Sequence, residues 1–143
     1  MTSDELLSRP VVPISGPEDA EATYNALVAH TDPADCRPLV LHVIVDTEGS
    51  DSINAQYQHA NDACEQFKSR AAADGMIVGT EIRYGKPVSE TIIDVAEEYN
   101  GSSIVFCSRD DGAWFDLLLG GVRTALITKS KRPVVMLPVD EDY

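Results

Sequence analysis

The chain has 143 residues, 43% of them hydrophobic. That suffices for one domain with a real core, is too short for two ordinary ones, and excludes wholesale disorder. Twenty-four acidic residues against 11 basic ones give a formal charge of −13, a field that disfavours nucleic acid and anionic membrane surfaces as partners.

No apolar run approaches the length of a membrane span. The N-terminal MTSDELLSRP has neither the basic nor the apolar region of a secretory signal, so a cytoplasmic location is the expectation. Only four of the 11 basic residues are lysines. An acidic, lysine-poor surface suits a salt-rich, haloarchaeal type of cytoplasm, where screening shortens charge repulsion to about 3 Å at 1 M salt.

In chain order, RPVVPI (9–14) reads as the first strand. After Ser15-Gly16, Pro17 suits a first helical position, and Glu18 and Asp19 suit the positive end of the helix dipole. Ala20, Tyr24, Leu27 and Val28 make that helix's apolar stripe. PLVLHVIV (38–45) is the second strand, almost continuously apolar, as a parallel strand buried on both faces tends to be. A long helix follows over 52–74, with Ile53, Tyr57, Ala60, Cys64, Phe67 and Ala71 alternating at spacings of four and three, and Gly75 as its stop. MIVGTEIRY (76–84) is the third strand, and a helix from Pro87 carries Ile92, Ala96 and Tyr99 before ending ahead of Gly101. SSIVFC (102–107) is the fourth strand. A last helix over 121–130 turns Val122, Leu126 and Ile127 inward, and RPVVMLPV (132–139) is the fifth strand.

This βαβαβαβαβ order, with right-handed crossovers, implies an α/β fold over 1–143: a doubly wound, Rossmann-like, five-stranded parallel sheet with helices on both faces. Ligands in such folds bind beyond the carboxyl ends of the strands, where the strand order reverses. The loops Ser15–Asp19 and Cys107–Trp114 are the candidates. Cys36, Cys64 and Cys107 show no CxxC spacing, and Cys64 and Cys107 read as packed small side chains. His30, His42 and His59 share no metal-ligand spacing and read as ordinary surface or core residues, so no metal is expected. Ser15 has no nearby histidine in sequence to activate it, so nucleophilic catalysis is not expected and the protein reads as non-enzymatic.

Four segments carry a family resemblance: VVPISGPEDAEATYNALVAH, PLVLHVIV, RYGKPVSETIIDVAEEYNGSSIVF and LLLGGVRTALITKSKRPVVMLPV. With them the whole chain resembles a universal stress protein of the UspA type. The resemblance implies strand order 3-2-1-4-5, with the two loops side by side at the switch point. Nucleotide-binding members carry Gly-x-x-Gly, nine residues, then Gly-Ser or Gly-Thr, so that backbone N–H groups approach the phosphates. They also carry an aspartate at the end of strand one and a strand-two backbone position that meets the adenine edge. Any nucleotide would then lie against Ser15, Gly16, Val43, Ser108, Arg109, Gly120, Gly121 and Val122.

The match at those positions is incomplete. The loop glycines are Cys107 and Asp110, the hydroxyl residue is Gly121, the strand-one aspartate is Ser15, and commonly basic positions hold Asp111 and Asp116. A carboxylate about 4 Å from a phosphate oxygen costs about 1 kcal/mol in water and about 4 kcal/mol near a protein surface. Two such carboxylates remove one to several decades of affinity. Plainer roles also account for these residues. Asp110 and Asp111 suit a solvated acidic loop, Trp114 and Phe115 suit a cover for the sheet edge or last helix, and Gly120-Gly121 suits the turn into that helix.

Strand five places Val134, Val135, Met136 and Leu137 on an edge, framed by Pro133 and Pro138, and an exposed apolar edge is a liability unless paired or covered. In the family this strand pairs with its twin, so a homodimer through residues 133–139, Val139 included, is expected. The expectation is a non-enzymatic stress or regulatory dimer with a degraded ATP loop, no resident cofactor and a protein partner. The alternative is a module that holds ATP or AMP through Val43, Gly120 and Val122, with rearranged phosphate contacts and at most slow hydrolysis. A receiver-like signalling domain needs an aspartate at the end of strand three, where Arg83 and Tyr84 stand instead.

Overall fold

The computed structural model describes residues 3–44, 53–84, 87–107 and 123–138. Among these, β1 (Pro10–Pro13), β2 (Leu39–Ile44), β3 (Gly79–Tyr84), β4 (Ser103–Cys107) and β5 (Val134–Leu137) form one sheet in the order β3-β2-β1-β4-β5. Every neighbouring pair is parallel. The helices among the described residues are α1 (Ser3–Leu6), α2 (Pro17–Val28), α3 (Ile53–Ala73), α4 (Val88–Tyr99) and α5 (Arg123–Lys129), with a 3₁₀ turn at Pro33–Asp35. The doubly wound architecture expected from the sequence is the observed one.

Alternation along the buried strands divides the core into two clusters. Val12, Val40 and Val105 meet Tyr24 and Leu27 of α2 and Ala63, Cys64, Phe67 and Ala71 of α3. On the other face Val11, Leu41, Val43, Ile104 and Phe106 meet Ile92, Val95 and Ala96 of α4 and Leu126 of α5. The Tyr24 and Phe67 rings meet edge to face, 5.4 Å apart. Helix ends follow their local chemistry. α3 stops at Gly75, whose φ of +78° suits glycine. α4 stops at Asn100 in the left-handed region (φ 59°, ψ 48°), which asparagine tolerates best among residues with a Cβ.

Three side chains expected to face inward do not. Ile53 and Tyr57 are 46% and 41% exposed, and Ile127 is 59% exposed. α3 has 21 residues and runs about 31 Å, whereas the six residues of β2 span about 20 Å. The first turns of α3 therefore extend past the sheet. Ile127 follows the buried Leu126, and one residue turns a helix by about 100°, carrying it off the packed face. α1 has no counterpart in the sequence reading. Its end is tied to β4, where the Ser102 and Ser103 hydroxyls each donate to the Leu6 carbonyl at 2.7 Å.

The two edges of the sheet differ. β3 presents Glu81 and Arg83, and Arg83 donates to Glu81 and, at 2.7 Å, to Glu98 of α4. β5 carries Val134, Val135, Met136 and Leu137, with Met136 exposed and no charged side chain.

Candidate functional site

β1 is the central strand, flanked by β2 and β4, and the strand order reverses beside it. Its last rung to β2 is the Ile14 N–H donating to the Leu41 carbonyl at 2.9 Å. The chain then leaves the sheet through Ser15 and Gly16 and enters α2, with Pro17 at a first-turn position. Gly16 caps this helix through its backbone alone, and the Ala20 N–H donates to the Gly16 carbonyl at 2.9 Å.

Asp19 completes the junction. One oxygen of its carboxylate accepts from the Ser15 N–H at 2.9 Å and the Ser15 hydroxyl at 3.2 Å. The other accepts from the Thr23 hydroxyl at 3.4 Å. This acidic side chain in the first turn reaches back past the cap residue to the Ser15 backbone, and it sits at the positive end of the helix dipole. A carboxylate therefore stands at the end of β1, although Ser15 occupies the position where the family resemblance expects one. The signal in the sequence was Asp19 three residues after Gly16, legible as a helix-start acid but not as a group folded back on Ser15.

Two histidines grip the same turn. The buried His42, on β2, bonds through Nδ1 to the Ile14 carbonyl at 3.0 Å, and the exposed His59, on α3, bonds through Nε2 to the Ser15 carbonyl at 3.1 Å. Their rings lie 5.9 Å apart at 76°. Burial is the main cause that pushes the His42 imidazole below the ordinary histidine value; His59 adds to the effect and the Ile14 carbonyl opposes it. Nothing in the sequence spacing pairs these residues. β2 delivers one and α3 the other.

Val43 is buried in β2, in register with Arg83 of β3. In a parallel strand the backbone groups of alternate residues point to the same neighbour. The Leu41 carbonyl serves β1, so the N–H and C=O of Val43 face the β1 side one step beyond the last rung. A planar hydrogen-bonding edge, such as a nucleobase, fits that position. Across β1, β4 ends at Cys107, opposite Leu137 of β5. Its side chain is half-buried against the α2/α3 cluster. Ser108, Arg109, Gly120, Gly121 and Val122 lie outside the described residues, as do Asp110, Asp111, Trp114, Phe115 and Asp116.

The universal stress protein family model matches residues 8–138. The chain belongs to the universal stress protein family. Solved structures agree at the level of the fold. A universal stress protein from Burkholderia pseudomallei is 21% identical, with 94% of this chain and 98% of that chain covered and a TM-score of 0.71. One from Archaeoglobus fulgidus in complex with dAMP is 18% identical, covering 92% and 98%, with a TM-score of 0.66. A universal stress protein in complex with cAMP is 14% identical, covering 92% and 98%, with a TM-score of 0.59. Comparison with curated protein sequences finds no significant match.

In this universal stress protein the fold brings Ser15, Gly16 and Val43 together around the end of β1. β4, which ends at Cys107, is the neighbouring strand, since Pro10 and Val11 pair with Ser103 and Ile104. Burial pushes the Cys36 thiol up to about 12 and, with a smaller contribution from Glu65, the Cys64 thiol up to about 11, so neither is a thiolate near neutrality. Among the described residues no cluster of three or more His, Cys, Asp or Glu is arranged for a metal ion, and no helix is long and apolar enough to cross a membrane.

Proposed function

We propose that this universal stress protein is a non-enzymatic stress-response or regulatory homodimer that acts through protein contacts and does not depend on ATP. The observation that carries this reading is Cys107. The first loop-glycine position of nucleotide-binding members is here the last residue of β4, with a side chain packed on the core. The next glycine position is Asp110, followed by Asp111. At the first of these positions the backbone belongs to a strand and not to a glycine turn, and the two carboxylates would repel a triphosphate.

The dimer draws support from the unlike edges of the sheet. β3 is guarded by the Arg83 ion pairs, whereas β5 offers an uncharged apolar strand, the kind of edge that pairs with a second copy. Pairing would run through residues 133–139.

A second reading has its own support. Val43 retains a backbone edge for a nucleobase, and relatives have been solved with dAMP and cAMP, each with a single phosphate. A monophosphate needs less of the altered loop than a triphosphate does. Restoring the loop separates the readings: Cys107→Gly, Asp110→Gly and Gly121→Ser together should raise ATP affinity from undetectable to measurable in calorimetry. An unchanged titration would mean that these positions are not what weakens the site.

A further inference from the structure

His42 and His59 hold consecutive carbonyls, Ile14 and Ser15, at the end of β1. A carbonyl oxygen only accepts, so the bonded nitrogen of each ring carries the proton: Nδ1 in His42 and Nε2 in His59. In the neutral rings the other nitrogen is bare. We propose that the two histidines form a proton-responsive clamp on the β1–α2 junction, closed while the buried His42 ring is neutral and released as that ring takes up a proton.

The geometry supplies the response. Protonation of His42 adds an N–H at Nε2 of a ring that is only 8% exposed and lies 5.9 Å from its partner ring. Burial makes a charge on that ring costly, and the neighbouring His59 adds to the cost. The N-terminus of α2, which starts immediately after Gly16, is the positive end of a helix dipole and adds to the cost.

Among the described residues, the groups that face His42 do not offset this charge. β1 contributes the Ile14 carbonyl and no ionisable side chain. On β3 the residue in register is Ile82, with the phenol-bearing Tyr84 two residues further along the same face, while Glu81 and Arg83 alternate to the other face. α3 contributes His59 itself and the buried Ala60 and Ala63, and its Asp62 accepts from Gln58 on the exposed side. On α2 the Asp19 carboxylate bonds Ser15 and Thr23 and keeps its charge, but the one charged neighbour that acts on the His42 ring is His59. Asp46, Glu48 and Asp51 of the β2–α3 connection lie outside the described residues.

The clamp holds more than two carbonyls. The same turn carries the last β1–β2 rung, the Ser15 contacts to Asp19 and the first-turn bond of α2. Its release loosens the crevice wall from the β1 side, whether or not a nucleotide enters.

NMR on the full chain tests this. Ring titrations and amide exchange, corrected for intrinsic pH dependence, are compared between the native protein and His59→Gln, whose amide can still donate to Ser15 without titrating. The His42 midpoint should move up in His59→Gln. Exchange at Ile14, Ser15 and Ala20 should accelerate about two- to twelvefold between pH 7.5 and 5 in the native protein, the effect of one lost hydrogen bond. That acceleration should shrink in His59→Gln and in His42→Gln, so either variant suffices if the other folds poorly. An unmoved His42 midpoint, or junction amides whose protection is constant across that range, overturns the clamp.

Discussion

A Cβ built on Gly16 would stand 2.9 Å from Nε2 of His59, the nitrogen that bonds the Ser15 carbonyl. Gly16 is extended (φ −178°), so the requirement for glycine comes from this ring and not from a left-handed backbone. Gly16→Ala should displace His59 and lose that hydrogen bond, about 0.5–1.5 kcal/mol, partly offset by the stiffer unfolded chain. In a His59→Ala background the same change should be neutral or stabilising by about 0.4–1 kcal/mol. Urea denaturation of the four proteins measures the coupling; additive effects would mean that the ring does not set the glycine.

Asp19→Ala should cost about 0.5–1.5 kcal/mol, the usual net worth of a hydrogen bond. Asp19→Asn keeps an acceptor for the Ser15 N–H and should cost less. Equal losses in chemical denaturation would assign the effect to charge alone.

The folded-state pKa of His42 is depressed, so the unfolded chain binds protons that the folded chain refuses. Its contribution to stability is present above the unfolded value, about 6.5, and is lost as pH falls from there toward the lower folded value. Denaturation midpoints at pH 7.5 and 5.5 should fall further for the native protein than for His42→Gln. Parallel pH dependences would contradict the assignment.

Much of this was legible before the fold. The five strands, the Gly75 stop and the α4 face follow from local pattern, because alternation, helical period and turn residues act within a few positions. The family motifs supplied the strand order, which periodicity does not contain. The His42–His59 pair was invisible because its proximity is made by packing α3 on β2. Asp19 was read as a dipole partner and is also folded back to accept from Ser15. Ile53 and Tyr57 continue the stripe of α3, but no sheet lies beneath them.

The uncharged edge predicts assembly. Met136→Lys on β5 should convert the proposed homodimer to a monomer in light scattering at high salt, whereas Glu81→Lys on β3 should leave the mass unchanged. A native protein already monomeric there would remove the dimer from the account.

The central claim, that the crevice does not depend on ATP, is tested most directly by calorimetry of the native protein with ATP and Mg²⁺ at high KCl, followed by AMP. The account predicts no ATP binding up to about millimolar concentration, an interaction weaker than about 4 kcal/mol. Binding of ATP at micromolar concentration would contradict it.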